Sequence, residues 1–300
     1  MVKNSLELED RITQELKKRV ITTLKYTVSF CETHNLRYFM ACGSALGTAR
    51  HQGMIPWDDD TDIYMLREDY VKLHEYYKEI SDSGYELVDL KLGTNYYCPS
   101  AKIVDRSTTL WEMEEYPYVV GAFVDIFPLD YAPIGMQGIV RKWTKLRSLF
   151  NTYMLSVNTF NCRMIKDCIR RFDYIHLVKG IVMQAVHQKK RDKYLSEMLS
   201  FEKTIQREDG FLLVSYTETG QYVFPKEWFE DFVMMPFEDF EVRMAIGYKE
   251  YLAYFYGDYM QMPPEEKRKS THSHYYLNLK EGLTIEETRK RIQKGETLVF

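Results

Sequence analysis

Asp58-Asp59-Asp60-Thr61-Asp62 holds four carboxylates in five residues and runs straight into the apolar stretch Ile63-Tyr64-Met65-Leu66. Carboxylates packed this closely repel one another, so a fold keeps them together when a cation compensates them or when all of them face water. Read as a strand, 60–65 has a period of two. Asp60 and Asp62 then share one face, and Thr61, Ile63 and Met65 share the other. Paired carboxylates over an apolar face make a divalent-cation site of hard oxygen ligands, suited to Mg2+ or Mn2+. A third acid, Asp125, stands inside Phe123-Val124-Asp125-Ile126-Phe127. Left unpaired in a core it would be costly, which favours a functional reason for its presence. Upstream, Gly43-Ser44 ends a strand-like stretch at 36–42. Its small residues let the backbone approach a ligand, and the short helix expected over 45–51 would offer its first amides to phosphate.

Competing readings of the acid cluster fit less well. An EF-hand loop starting at Asp58 needs Gly at its sixth position and Glu at its twelfth, where Ile63 and Asp69 stand. The D-D-x-x-D metal motif of prenyl-chain enzymes lies on a helix and works with a second acidic helix, whereas here Pro56 precedes the cluster, strand-like residues follow it and the chain has no second copy. A solvated acidic loop would make Asp125 and the Gly-Ser turn coincidences. Gly-Ser after a first strand, D-x-D on the next and a third acid on a later strand follow, in order, the nucleotidyltransferase pattern. On strand geometry Asp58 precedes the strand and Asp59 points away, so both are expected to tolerate change better than Asp60 and Asp62.

Arg50-His51-x-Gly53-x-Ile55-Pro56-Trp57-Asp58-Asp59-Asp60-x-Asp62 resembles the signature of the LicD family of phosphotransferases, relatives of fukutin and fukutin-related protein. Val124-Asp125-Ile126-Phe127-Pro128-Leu129-Asp130 resembles a second block of that family. Tyr256-Gly257-Asp258-Tyr259-Met260, Pro263-Pro264 and Arg268 resemble a C-terminal one. The resemblance implies a nucleotidyltransferase-like fold. It also implies transfer of a phospho-alcohol, usually phosphocholine from CDP-choline, onto a sugar hydroxyl of a glycan or lipid-linked glycan, with release of CMP. Ribitol, glycerol or ethanolamine phosphate are alternative cargoes.

On this reading Asp60, Asp62 and Asp125 hold Mg2+ or Mn2+, with Asp125 either a third ligand or the general base. Gly43 and Ser44 contact phosphate, Arg50 and His51 hold the leaving nucleotide, and Trp57, Lys102 and Arg268 are further substrate contacts. Asp258 is either a substrate contact or a helix-end turn residue. A family histidine falls at His272 or His274; His272 is taken as the substrate contact and His274 as structural. Two rivals stay open. One is a true nucleotidyltransferase making an activated sugar or alcohol, and the other is a glycan-binding scaffold without catalysis.

These residues need a scaffold, and the remaining sequence predicts an α+β one: a mixed sheet core with flanking helices and a helical insertion. An amphipathic helix is expected in 1–34, where Leu6, Ile12, Leu16, Val20, Leu24, Val28 and Cys31 recur at helical spacing. The core follows in 35–135, with a helix over 69–80 ended by Gly84 and strands at 85–88, 100–104 and 123–130. A mostly helical insertion follows in 136–210. Residues 211–300 complete the domain with a strand in 211–223, a loop over 225–240, a helix over 241–256 and a polar tail.

Charge divides the chain. Net charge is -4, which gives no general signal for nucleic acid, and none is expected as a partner. Yet residues 136–193 carry 13 Lys and Arg against 3 acids. That segment reads either as solvated helix faces or as a surface for anionic membrane. Five scattered cysteines without a C-x-x-C, no apolar leader at the N-terminus and no long apolar run predict a cytoplasmic protein, peripheral at the inner membrane face if the basic segment binds lipid.

Overall fold

A computed structural model describes residues 2–92, 96–98, 100–132, 136–204, 211–213, 223–270 and 274–299. The chain opens with α1 (Val2–Thr33), β1 (Phe39–Met40), α2 (Cys42–His51), β2 (Asp62–Leu66), α3 (Arg67–Glu75) and α4 (Tyr77–Asp82). β3 (Tyr85–Val88), β4 (Ala101–Asp105), β5 (Thr109–Trp111) and β6 (Phe123–Ala132) follow. Four helices come next: α5 (Met136–Val157), α6 (Cys162–Arg170), α7 (Tyr174–Gln188) and α8 (Arg191–Glu202). The chain closes with β7 (Phe211–Leu213), β8 (Val223–Pro225), β9 (Phe232–Phe237), β10 (Phe240–Ala245), α9 (Tyr248–Tyr256), β11 (Tyr276–Asn278), α10 (Ile285–Gln293) and β12 (Leu298–Val299).

The central sheet runs β1-β2-β6-β4-β3, with β7 and β8 continuing from the far end of β6. Only β2 and β6 are parallel in it; the other pairings are antiparallel, so the architecture is α+β as expected. Ile63, Val124 and Ile126 are fully buried, and α1 packs across β4 and β6. Its stripe of Ile12, Leu16, Val20, Leu24, Val28 and Cys31 is buried, so the helical spacing in the sequence does mark the packing face. α5 and α8 close a separate small core of Trp143, Leu146, Tyr153, Val157 and Met198.

Several element boundaries differ from the expected ones. β2 begins at Asp62, so Asp60 precedes the strand instead of lying on it. α2 begins at Cys42, so Gly43 and Ser44 form its first turn and are not a turn ahead of it. The helix expected over 69–80 breaks at Tyr76, whose amide bonds Leu73 three residues back while its ring packs on Phe30 and His34. The loop and helix expected over 225–245 are instead the hairpin β9–β10. Val242 and Met244 alternate into the core with the period of a strand, and Glu238, at φ 54, makes the turn. The tail is structured too: buried β11 pairs with β5. Of the strand expected in 211–223, residues 214–222 lie outside the described residues.

Candidate active site

β2 and β6 run side by side with Asp62 in register with Asp125. Two carboxylates on adjacent positions of parallel strands oppose each other electrostatically, and Asp60 adds a third. One carboxylate oxygen from each of the three lies within 4.8 Å of the others. Asp60 reaches the group from outside the strand because the pairing continues one residue beyond it: the Asp125 amide donates to the Thr61 carbonyl at 2.8 Å.

The start of α2 holds this segment in place. The Asp62 amide donates to Ser44 Oγ at 2.8 Å, and the Ala41 amide donates to the Asp62 carbonyl at 3.0 Å. A Cβ on Gly43 would stand 2.8 Å from Asp58 Oδ2, so only glycine lets that carboxylate reach the first turn of the helix. A negative charge is favourable there, near the helix N-terminus. Gly43 and Ser44 thus position the acids, a role that the sequence had assigned to phosphate contact. Further along α2, a Cβ on Gly47 would meet the Gly53 carbonyl at 2.5 Å, so the loop into the acids crosses close over the helix. Buried Lys17 of α1 fastens that loop by donating to the Ile55 and Pro56 carbonyls at 2.7 and 2.6 Å. Burial pulls the Lys17 ammonium below its ordinary value, against the attraction of Asp58, Asp59 and Glu238.

Lys102 lies directly across the β4–β6 ladder from Asp125. Its ammonium sits 3.0 Å from the Asp125 carboxylate, 3.8 Å from Glu112 and 3.3 Å from the centre of the Phe123 ring. Burial works against this charge, but Asp125 and Glu112 outweigh it and hold the Lys102 pKa above its ordinary value. Asp125 is thus not left unpaired in the core: a lysine from the neighbouring strand lies against it. Lys102 belongs to the site as an internal counter-ion.

Asp59 is buried and engaged. Ser270 Oγ donates to one of its oxygens at 3.1 Å, and His274 Nε2 lies 2.8 Å from the other. Asp59, expected to tolerate change, is instead held by Ser270 and His274, and His274 sits in a structural contact as expected. His274 Nδ1 is buried without a hydrogen bond among the described residues. His272 lies outside the described residues.

Arg50, His51, Trp57 and Arg268 form a second cluster. Arg50 Nε donates to His51 Nε2 at 3.0 Å, and Arg50 Nη1 donates to the carbonyls of Tyr259 and Gln261 at 3.2 Å each. The His51 ring meets Trp57 edge-on at 6.2 Å, and the Arg268 guanidinium sits 6.0 Å from the Trp57 ring centre. Asp258 is exposed in the turn after α9 that also offers its Tyr259 and Gln261 carbonyls to Arg50, and its own carbonyl accepts from the Gln261 amide at 3.0 Å.

Two openings lie on either side of the 111–112 and 274–275 segments. A small cavity of about 90 Å³ is lined by Asp60, Asp125, Glu112, Asp59 and His274, with Leu16 and Val20 of α1 as its apolar wall. A wide cleft of about 840 Å³ lies between α6 and α10, walled by Trp111 and Tyr275. Arg163, Lys166 and Arg170 reach it from α6 and Arg289 from α10, against the acids Glu114 and Asp167. Successive residues line the two spaces separately, Trp111 and Tyr275 the wide cleft and Glu112 and His274 the small cavity. The Tyr275 amide donates to the Trp111 carbonyl at 2.8 Å, which holds the two walls together. Lys17 and Glu112 carried no local signal as site residues, because each acquires its place only through the tertiary fold.

An α+β domain with a carboxylate cluster across the parallel strand pair of its central sheet defines a class before it defines a family. Residues 35–154 match the family described as LicD/FKTN/FKRP, nucleotidyltransferase domain. The chain is 26% identical over 264 residues to the lipopolysaccharide cholinephosphotransferase LicD of Haemophilus influenzae, covering 84% of this chain and 92% of that protein. It is 45% identical over 47 residues to the human ribitol 5-phosphate transferase FKRP, covering 16% of this chain and 10% of that protein. Residues 35–154 thus carry the match to this family, and the similarity to a LicD cholinephosphotransferase over most of the chain supports a LicD-type transferase.

Proposed function

We propose that the protein transfers a phospho-alcohol from a CDP-activated donor onto a glycan hydroxyl, with phosphocholine from CDP-choline the first donor to test. The observation that carries this reading is the register of Asp62 against Asp125 with Asp60 alongside, three oxygen donors within 4.8 Å. Hard carboxylate oxygens at this spacing fit Mg2+ or Mn2+. Such an ion, once bound, would neutralise charge on the phosphoryl oxygens and on the departing nucleotide. A nucleotidyltransferase-like fold is the frame for this site. The names of the two relatives, a cholinephosphotransferase and a ribitol 5-phosphate transferase, support the class of reaction.

Asp60, Asp62 and Asp125 would hold the ion, and Lys102 limits the charge that it must compensate. The Arg50–His51–Trp57–Arg268 cluster suits the nucleotide, with Trp57 as a stacking surface and the guanidinium groups for phosphate. Trp111, Tyr275 and the four basic side chains of the wide cleft suit a sugar that itself carries negative charge. There the attacking hydroxyl would approach Asp125 past the Trp111–Glu112 and His274–Tyr275 segments. His274 is placed to take its proton: Asp59 occupies Nε2, which leaves Nδ1 for the acceptor. Asp125 is the alternative base.

Product analysis separates this reading from its rivals. The protein incubated with Mn2+, a panel of CDP-alcohols and a glycan acceptor should release CMP. Pyrophosphate released from a nucleoside triphosphate would instead identify a nucleotidyltransferase, and acceptor binding with neither product a scaffold.

A further inference from the structure

α7 is built inside out. Leu177, Gly180, Gln184 and His187 form the stripe that faces the protein, and two of its contacts are polar. Gln184 accepts a hydrogen bond from the Phe160 amide at 3.1 Å, and His187 Nδ1 lies 3.2 Å from the Tyr194 hydroxyl. Gly180 packs so closely on the Phe160 ring that a Cβ would come within 2.7 Å of it. The opposite, outward stripe is apolar: Ile175 is 82% exposed, Val178 60%, Val182 53% and Ile181 49%. Phe172, in the turn that leads into the helix, is 78% exposed. A surface helix of a globular protein shows the reverse pattern, with its apolar stripe inward. No residue of α7 is buried, so the fold does not use this face.

The surroundings indicate what covers it. Arg170, Arg171, Lys179, Lys189, Lys190 and Arg191 ring the apolar stripe, with Asp173 in their midst held by His176 at 2.8 Å. A groove of about 580 Å³ between α6 and α7 is lined by Arg171, Lys179 and His176, by the acids Asp167 and Asp173, and by the apolar side chains of Met164 and Met183. A second copy of the chain on this face would set two basic rims against each other across a two-fold axis, which disfavours self-association. An anionic bilayer satisfies both halves of the surface, its acyl chains taking the outward stripe and its headgroups the basic rim. With 15 residues α7 is about 22 Å long, suited to lying in the interface and too short to cross it.

We infer that α7 and the turn at Phe172 form an interfacial docking surface for anionic lipid, with the basic residues flanking the helix meeting the headgroups. The docked helix would hold the basic cleft beside α6 close to the membrane plane. The inference stands apart from the proposed reaction, because docking is read with neither donor nor acceptor present.

The test is co-sedimentation of the whole chain with vesicles of phosphatidylcholine containing about one third phosphatidylglycerol, at about 0.1 M salt. Ile175→Gln/Val178→Gln is the variant, since both side chains are exposed and leave the core untouched; its circular dichroism melting curve checks folding. Binding to anionic vesicles that falls about tenfold in the variant, and also falls in high salt, is the expected result. Three outcomes overturn it: no sedimentation with vesicles, binding that neutral vesicles match or that the variant leaves unchanged, or a wild-type dimer in sedimentation velocity that the variant abolishes.

Discussion

Strands β2 and β6 lie parallel and adjacent, and both ends of the pair are charged. At the N-terminal end Asp62 stands beside Asp125, with Asp60 close by. Just beyond the C-terminal end Arg67 meets Asp130 through two bonds, Nε to Oδ1 at 2.7 Å and Nη2 to Oδ2 at 2.6 Å. Burial disfavours the Arg67 charge, but Asp130 outweighs it, and the guanidinium pKa lies above its ordinary value. Here one cation matches one anion, and their side chains are 6% and 5% exposed. At the other end Lys102, among the described residues, lies between Asp125 and Glu112, and Asp60 and Asp62 bring their carboxylates to the same point. One strand pair thus carries an ion pair matched one to one and a cluster in which three carboxylates converge. A count of buried acids would not separate them; the grouping of the carboxylates does.

The difference can be broken at either end. Asp62→Asn should lower phosphotransfer by about 10³-fold, equivalent to about 4 kcal/mol in the barrier, with the urea-unfolding midpoint nearly unchanged. Full activity in that variant would remove the cluster from the mechanism. Asp130→Ala should do the opposite. It leaves Arg67 buried without its carboxylate, at a cost of about 3–5 kcal/mol in stability by denaturant unfolding, while activity per folded molecule is kept. A variant as stable as the parent would show that the pair is dispensable. Lys102→Met sharpens the comparison. Loss of a charge 3.0 Å from Asp125 should tighten Mn2+ binding about tenfold in a calorimetric titration, and an unchanged affinity would deny Lys102 its role as counter-ion.

The smallest effect concerns His51. Burial first, then the neighbouring charges of Arg50 and Lys17, lower its pKa from the ordinary 6.5. It therefore stays neutral at pH 7 and can accept from Arg50. On acidification the unfolded chain takes up the proton first. The contribution of His51 to stability is thus complete above 6.5 and is lost as pH falls through the lower folded value. An NMR titration of the ring should show a midpoint below 6.5, and a midpoint at or above it would contradict the neutral Arg50–His51 contact.

The acids themselves were legible because their spacing is dense and Asp125 sits oddly in an apolar run. The apolar stripe of α1 was legible because its period is helical. What escaped depends on partners that are distant in the chain. Asp59 gains its role from His274, more than 200 residues away, and Asp125 gains its counter-ion from a strand 23 residues earlier. Ser44 turned out to accept from the Asp62 amide, a contact that exists only because α2 packs beside β2. The β9–β10 hairpin was obscured by Pro236 and by Glu238-Asp239, which read as loop, although Val242 and Met244 alternate as strand residues do. The inverted face of α7 emerged only once Gln184 and His187 were seen to point inward.

Electron paramagnetic resonance of Mn2+ titrated into the protein measures the carboxylate cluster directly. The wild type and Asp130→Asn should both remove Mn2+ from the free-ion signal, and Asp62→Asn should not. Mn2+ binding by Asp62→Asn that equals the wild type would contradict the assignment of Asp60, Asp62 and Asp125 as the metal site.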